Sequence, residues 1–346
     1  MRRIQSIDAF RFLAILGVIV IHTTRFKGDE LKNAYDYFCV AINQGSRFAV
    51  PFFFIISGFF FAKKTSVRDS VLPVAEKILK RLGLIWLFFC MVYILPYDLF
   101  SVFEYGVAGP VKMVYWNLEN IISDPVRLVF EGSKGHLWFL VSLANSVIIV
   151  TLFLRYWKAN PLLPLIIVSV ALYIFGLLAK SYSETPLGIH IDFNTRNGPF
   201  FSTIFFVLGY VLSYINYSQK YFAYGLMILA LGYGIHFCEI YYLYSTYGVS
   251  PASHDYVVGT VLVGLGASWM ALSGHPFLKI TSASSIGKYT LGIYGIHFVF
   301  IDLLMHIDKQ LSSPAWEIVY VGLVFLFSSG VTLIAAKYDR LKKVLI

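Results

Sequence analysis

The sequence contains little charge: only 14% of its 346 residues are charged, while 58% are hydrophobic and 18% aromatic. A typical soluble domain has about 25% charged residues, so this excess of apolar side chains indicates a lipid environment.

The three cysteines are far apart and match neither a disulfide framework nor a metal-ligand spacing, and we expect them to be small buried side chains. No Gly-rich phosphate loop of the Walker or Rossmann type is present, so nucleotide hydrolysis has no support. The basic residues, which give a formal net charge of +9, form no block or stripe, and we expect no nucleic-acid partner.

Long hydrophobic runs, in contrast, are abundant. A helix needs about 20 mainly apolar residues to cross a bilayer. Runs of this kind occupy residues 7–24, 43–61, 81–97, 138–156, 162–179, 199–215, 221–239, 256–272, 287–305 and 316–336. No Gly/Ser-rich linker or low-complexity tract divides them. The sequence therefore predicts an all-α integral membrane protein, a bundle of about ten transmembrane helices that forms one domain over residues 1–346.

The Lys and Arg residues between the runs predict the orientation of the chain. If the N-terminus is cytoplasmic, the cytoplasmic segments hold nearly twice as many Lys and Arg residues as the outer loops. This asymmetry favours cytoplasmic N- and C-termini. The first run lacks a small-residue cleavage pattern and carries charge inside its apolar stretch, so we expect a retained span rather than a signal peptide.

The first run has three ionisable residues on one side of its predicted helix. Arg11 and His22 are eleven residues apart, so they project from one face with an axial separation of about 16 Å. Asp8 lies one turn before Arg11 and is placed to pair with it. Ionisable groups at membrane depth usually face a cavity or one another, which favours a polar passage along this face. Two alternatives stay open, namely an Asp8–Arg11 pair at the inner interface and a histidine that is hydrogen-bonded for packing.

Several motifs occur in a recognisable order along the chain. They are Asp8-x-x-Arg11 followed by His22; Val50-Pro51-Phe52-Phe53-Phe54-Ile55-Ile56-Ser57-Gly58-Phe59; Lys80-Arg81; Gly135-His136-Leu137-Trp138-Phe139-Leu140; and Ile286-Gly287-Lys288-Tyr289-Thr290-Leu291-Gly292-Ile293-Tyr294-Gly295-Ile296-His297. In this order they resemble the motifs of the membrane acyltransferase-3 family, bacterial O-acyltransferases that acetylate or succinylate cell-surface sugars. One departure is Lys80, where the family often has an arginine, because lysine contacts phosphate as a point charge and cannot clamp it bidentately.

The resemblance implies a multi-pass protein of the bacterial inner membrane. It would transfer an acyl group, expected to be acetyl, from cytoplasmic acyl-CoA to a hydroxyl of a cell-surface or lipid-linked saccharide. Acetyl-CoA would be the donor co-substrate, and no metal or redox cofactor is implied. We expect Lys80, Arg81 and Arg11 to bind the donor, although the positive-inside rule alone also explains the basic pair. His22, supported by Arg11 and Asp8, would be the general base.

Further residues are candidates for substrate binding. Arg47 lies near the outer end of the second run, where it would face His22 or stabilise a developing oxyanion, or else extend to the membrane interface. His136 and Trp138 open the fourth run, and an aromatic belt also explains Trp138. Tyr294 and His297, one turn apart in the ninth run, would line the same cavity or make a packing hydrogen bond.

Two features leave alternatives of a different kind. The 98–135 segment is a candidate acceptor platform or an interfacial helix on the membrane. Ser57-Gly58 is expected to let helices approach closely, with the Ser57 hydroxyl available to a neighbouring helix.

At the level of function, a membrane transporter of a sugar or a lipid-linked intermediate is the alternative to an acyltransferase. It is less favoured because no pair of inverted repeats with matched broken spans is found.

Overall fold

The computed structural model describes residues 4–24, 30–65, 71–98, 100–157, 160–311, 313–339 and 341–342. Within these ranges every regular element is a helix, and no strand occurs. The helices are α1 (Gln5–Thr23), α2 (Ala34–Gly45), α3 (Ala49–Thr65), α4 (Val71–Val92), α5 (Ser101–Tyr105), α6 (Ala108–Ser123), α7 (Pro125–Glu131), α8 (Trp138–Tyr156), α9 (Leu162–Leu178), α10 (Pro199–Leu212), α11 (Lys220–Tyr247), α12 (Gly259–Leu272), α13 (Thr281–Gly287), α14 (Thr290–Gln310) and α15 (Pro314–Ala335). Short 3₁₀ helices occupy Gly135–Leu137 and Pro276–Leu278. The predicted all-α class is confirmed.

A helix forms at each of the ten predicted hydrophobic runs. Within the described ranges, six helical segments are long and apolar enough to cross a membrane: Gln5–Thr23, Ala34–Thr65, Gly135–Tyr156, Lys220–Tyr247, Thr290–Gln310 and Pro314–Ala335. Three shorter helices, α9, α10 and α12, are also apolar, and α4 covers the remaining run. Large apolar side chains are exposed on many of these helices, as expected of surfaces that contact lipid. The count of ten spans and the orientation of the termini stay predictions.

The structure adds detail to the sequence-based expectations in three parts of the chain. Helix α2 lies N-terminal to the predicted 43–61 run, and its polar start is fixed by Asn33, whose Oδ1 accepts hydrogen bonds from the amides of Tyr35 and Asp36. The predicted 287–305 run corresponds to α14, which begins at Thr290, and a separate short helix, α13, ends at Gly287. The 98–135 segment is largely helical, as α5, α6 and α7, which agrees in secondary structure with the interfacial-helix alternative. A hydropathy window misses such short or polar helices because they lack a long apolar stretch.

The helices pack into two compact units. The first comprises Met1–Ile78 and Ser142–Lys288, and the second comprises Leu79–Val141 and Tyr289–Ile346. The first unit holds α1, α2, α3 and α9 to α13, and the second holds α5, α6, α7, α14 and α15. Helices α4 and α8 contribute residues to both. That residues 1–346 act as a single domain stays a prediction.

Glycines allow α3 and α10 of the first unit to touch backbone to backbone. A Cβ at Gly58 would lie 2.0 Å from the carbonyl oxygen of Phe206, and a Cβ at Gly209 would lie 1.8 Å from that of Ile55. The expected close approach at Gly58 is therefore confirmed. The Ser57 hydroxyl donates to the carbonyl of Phe53 in the same helix, at 2.7 Å, and its availability as an acceptor to a neighbouring helix stays a prediction.

The cysteines follow the expectation in part. Cys39 and Cys90 are buried, as the sequence predicts for small apolar side chains. Cys238 is exposed on α11, so its predicted burial was wrong. The apolar neighbours that suggested a core position lie on an exposed helix face that also carries Leu231 and Tyr241.

Candidate functional site

Helix α1 carries the ion pair that its sequence predicts. Arg11 Nη1 lies 3.0 Å from Asp8 Oδ1, and the Asp8 side chain is buried while that of Arg11 is about one-third exposed. The Arg11 guanidinium also lies over the ring of Phe60, 5.5 Å from its centroid. A carboxylate and an aromatic ring of the first unit thus hold the Arg11 cation. The catalytic and donor-binding roles of this pair stay predictions.

The start of α1 is held firmly by the end of α13. A Cβ at Gly287 would lie 1.9 Å from the carbonyl oxygen of Asp8, so only glycine fits at this contact. The hydroxyl of Ser284 donates to the carbonyl of Gln5 at 3.0 Å, and that of Ser6 donates to the carbonyl of Ala271 at 2.6 Å. These contacts fix the backbone that presents Asp8 and Arg11.

His22 lies in the last turn of α1, where its side chain is partly exposed. Asn43 of α2 connects this turn to Arg47. Its Nδ2 donates to the carbonyls of Ile21 and Thr24, at 3.2 and 3.3 Å, and its Oδ1 accepts from Arg47 Nη2 at 3.1 Å. One asparagine, which the sequence did not point to, therefore connects Arg47 to the backbone on both sides of His22; that Arg47 faces the His22 side chain stays a prediction.

Arg47 belongs to a charged group that was also missed, here called the Asp255 cluster and formed by Arg47, Lys180, Arg196 and Asp255. Asp255 Oδ1 lies 3.0 Å from Arg47 Nη1 and 3.5 Å from Arg196 Nη1, while Oδ2 lies 3.5 Å from Lys180 Nζ. Burial by itself would raise the pKa of Asp255, but the Arg196, Arg47 and Lys180 cations outweigh it and hold that pKa well below its usual range. The carboxylate is therefore ionised throughout the physiological pH range.

Two buried histidines lie next to this cluster, on α11 and on the connection after it. His236 is fully satisfied, with Nε2 at 3.1 Å from Gln44 Oε1 and Nδ1 at 3.2 Å from Thr260 Oγ1. The backbone carbonyl of His254 accepts from Gln44 Nε2 at 3.3 Å. Burial, followed by the charge of Arg47, lowers the pKa of His254 to about 4, so its imidazole is neutral at neutral pH.

The second unit brings together three of the predicted substrate-binding residues. His136 is buried in the 3₁₀ turn before α8, and its ring centroid lies 5.3 Å from that of Tyr294 and 5.0 Å from that of His297. The Tyr294 hydroxyl donates to the carbonyl of His136, and His297 Nδ1 lies 2.6 Å from the carbonyl of Tyr294. Tyr93 and Phe298 complete this aromatic group, with ring centroids 5.1 and 4.5 Å from that of His136. The contact of His297 Nδ1 with the Tyr294 carbonyl is a packing hydrogen bond, the alternative to lining a cavity.

A charged pair adjoins the same aromatic group. Lys134 Nζ lies 2.5 Å from Asp302 Oδ2 and over the ring of Phe298, 5.4 Å from its centroid. Trp138, also predicted to bind substrate, is buried at the start of α8. Lys80 and Arg81 are both exposed on α4. The roles predicted for these residues stay predictions.

Helices of this length and apolarity, with buried ionised groups, define the chain as a multi-pass membrane protein. The sequence model of the acyltransferase-3 family, described as an acyltransferase domain, matches residues 4–335. The chain therefore belongs to the acyltransferase-3 family, and the resemblance inferred from its motifs is confirmed.

Curated relatives carry a different kind of name. Two proteins of Enterococcus faecalis named amino-acid racemase are 31% and 27% identical to the chain, over 60% and 89% of its length and over 28% and 42% of theirs. A serine/alanine racemase of Enterococcus gallinarum is 24% identical over 93% of the chain and 46% of its own length. The chain thus spans less than half the length of these relatives. No solved structure shows significant similarity to the chain.

Proposed function

We propose that the protein is an integral-membrane O-acyltransferase that moves an acyl group, most simply acetyl, from acyl-CoA to a saccharide hydroxyl. The observation that carries this proposal is the polar face of α1. It has the Asp8–Arg11 pair, with a buried Asp8, near one end of the helix. At the other end it has His22, beside carbonyls that bond to Asn43, which in turn accepts from Arg47. Membership of an acyltransferase family supports the same chemistry.

His22 acts as the general base in this mechanism. Its imidazole accepts the proton of the acceptor hydroxyl while the hydroxyl oxygen attacks the thioester carbonyl. The carbon–sulfur bond then breaks, and the CoA thiolate leaves with a proton that the imidazolium returns. Arg47, connected to the backbone beside His22, supplies positive charge where the oxyanion develops.

The donor approaches from the side of the membrane where Arg11 begins the polar face. CoA is a polyanion, so its phosphates require cations, and Lys80 and Arg81 are exposed on α4 where a soluble ligand can reach them. With both termini cytoplasmic, this side faces the cytoplasm of a bacterial inner membrane. The acyl chain then reaches His22 along α1, a rise of about 16 Å.

The aromatic group around His136 is the proposed contact for the saccharide ring. Tyr294 and His297 present ring faces and polar atoms within one buried group, and Trp138 lies two residues after His136. Aromatic faces combined with a few polar atoms are typical of saccharide sites. The Asp302 carboxylate, paired with Lys134, adds an acceptor for sugar hydroxyls.

A second candidate function is passage of a small polar molecule through the membrane. It is favoured by one observation, the ion pairs of low exposure at Asp8 and Asp255 in a chain of apolar helices, because such polar groups suit a transport route as well as a transfer site. In that case the polar face of α1 lines a route for a sugar, a lipid-linked intermediate or an amino acid instead of a thioester.

Thioester cleavage by the purified protein separates the two candidates. We expect free CoA thiol to appear, with acyl saccharide formed in equal amount, when acetyl-CoA and a pool of saccharides are supplied in detergent. Uptake of labelled solute into proteoliposomes without thiol release would contradict the acyltransferase and support transport. Omitting the saccharides provides the control for hydrolysis by water.

Replacing Lys80 and Arg81 together with alanine is expected to raise the KM for acetyl-CoA by about 5–30-fold, with a much smaller effect on kcat. Two exposed ionic contacts are each worth about 1 kcal/mol or less, and they act on donor binding before the chemical step. The matched control removes two other exposed lysines, as Lys220→Ala with Lys279→Ala. An equal KM change in both double variants would show that only the overall charge of the protein matters.

A further inference from the structure

The Asp255 cluster contains more positive than negative charge. Three cations, Arg47, Lys180 and Arg196, approach one carboxylate within 3.5 Å, so the four side chains together carry a formal charge of +2. Their side chains are only 11–28% exposed, and that of Asp255 is 15% exposed. Moving cations out of water costs free energy unless an anion accompanies them, and one carboxylate compensates only one of the three. A second anion would complete the charge balance.

Buried side chains next to the cluster residues in sequence hold the backbone around the cluster through hydrogen bonds. Ser181 follows Lys180, and its hydroxyl donates to the carbonyl of Tyr256. Thr195 precedes Arg196, and its hydroxyl lies 3.0 Å from the hydroxyl of Tyr256 and donates to the carbonyl of Gly176 at 2.8 Å. These contacts fix the backbone next to Lys180, Arg196 and Asp255. They therefore keep the Lys180 and Arg196 cations close to each other despite their mutual repulsion.

Polar atoms next to the cluster also lack partners. Arg47 Nε, and both ring nitrogens of the fully buried His254, have no hydrogen-bond partner among the residues that the structure describes. Buried donors without partners are uncommon in folded proteins, and an absent ligand is one of the usual reasons. Arg47 Nε is a donor, and a neutral His254 imidazole has one donor and one acceptor nitrogen. The two donors are independent of the charge count and indicate the same kind of ligand, one with acceptor oxygens.

We propose that Arg47, Lys180 and Arg196 form a binding site for one anionic group, a carboxylate or a phosphate, of the acyl acceptor. The arginines offer the forked donors that suit either oxyanion, and Lys180 adds a point charge. The partial exposure of Lys180 and Arg196 leaves the site within reach of solvent. Asp255 holds the three cations in place and limits their net charge.

This inference rests on the proposed transfer to a saccharide and specifies its acceptor as an acidic one. Asn43 bonds both Arg47 and the carbonyls that flank His22, so an acceptor anchored by its acid group lies next to the turn that carries His22. Fixing the acceptor at one charged group brings its hydroxyl to the base in a limited set of orientations. Selection for acidic over neutral saccharides follows from that geometry.

Calorimetric titration of the full chain, in a neutral detergent at low ionic strength, tests the site without requiring catalysis. The probes are inorganic phosphate, glucuronate and glucose. We expect at least one of the two anions to bind and glucose not to bind. Arg196→Gln and Lys180→Gln should each weaken that binding by about tenfold or more, as expected when a charge-assisted contact is lost. Arg155→Gln, which removes an exposed cation at the end of α8, should leave it unchanged.

The outcomes separate the possible ligands and the two proposals. Binding of glucuronate alone assigns a carboxylate, and binding of phosphate alone assigns a phosphate. Anion binding no tighter than that of glucose, or an equal loss in Arg155→Gln, would overturn the inference. Lys180→Gln decides the question if Arg196→Gln does not fold. If the protein acylates a neutral saccharide from a thioester but binds no anion, the proposed acyltransferase function is supported and the anion site is overturned. If it binds an anion but transfers no acyl group, the anion site is supported and the acyltransferase function is overturned.

Discussion

His22→Ala is expected to lower acyl transfer by about 10²-fold or more while acetyl-CoA still binds with nearly unchanged affinity. General-base assistance is typically worth about 10²–10⁴-fold, and its loss affects the chemical step rather than donor binding. The residue ends α1 at a partly exposed position, so its removal leaves no large buried cavity. Turnover and donor binding should be measured on the same purified preparation, because only the first is expected to change.

The matched control is His190→Ala, which removes an exposed histidine from the same unit. It should retain full turnover, and both variants should keep the thermal unfolding midpoint of the unmodified protein. A folded His22→Ala protein with unchanged transfer would exclude His22 as the base. A loss of transfer accompanied by an equal loss of acetyl-CoA binding would instead indicate a role in donor binding.

The part of the site that the sequence predicts is local in the chain. Asp8 and Arg11 are three residues apart on one helix, so helical geometry alone brings them together, and the ion pair is observed. Long apolar runs likewise predict helices because a spanning helix satisfies its own backbone. The close packing at Gly58 follows from the same local pattern of small residues.

The rest of the site depends on contacts between distant segments. Arg47, Lys180, Arg196 and Asp255 come from four parts of the chain, and in the sequence Lys180 and Arg196 read only as charges of outer loops. No periodicity links them, because side-chain periodicity reports one element at a time. Asn43 was missed for a related reason: it opens the predicted 43–61 run, but only the packing of α2 beside the end of α1 brings its amide to the carbonyls of Ile21 and Thr24. A sequence signal did exist in the capping box between Asn33 and Asp36, which predicts a helix start there.

Asp255→Asn is expected to destabilise the first unit by about 3 kcal/mol and to lower the thermal unfolding midpoint of the purified protein. Removing one partner of a buried ion pair typically costs about 3–5 kcal/mol, and the partial exposure of this cluster favours the lower end. The asparagine keeps the shape of the side chain, so the change isolates the charge. Three cations then remain close together without a carboxylate between them.

The same residue predicts a pH dependence with a definite sign. Because the folded pKa of Asp255 is depressed, its contribution to stability is fully present above the unfolded pKa of about 3.9 and is lost as pH falls through the lower folded value. The difference in unfolding midpoint between the unmodified protein and Asp255→Asn should therefore be constant from about pH 5 to pH 8. It should narrow only in stronger acid, where the Asp255 carboxyl of the unfolded chain takes up a proton that the folded chain does not yet bind.

Asp192→Asn, at an exposed carboxylate of the same unit, is the control for a general change in charge and should leave the midpoint unchanged. Added phosphate should raise the midpoint of Asp255→Asn more than that of the unmodified protein, because an anion that binds the three cations replaces the missing carboxylate. Equal midpoints for Asp255→Asn and the unmodified protein would show that solvent already screens these cations. In that case the positive charge of the cluster would supply little driving force for binding an acidic acceptor.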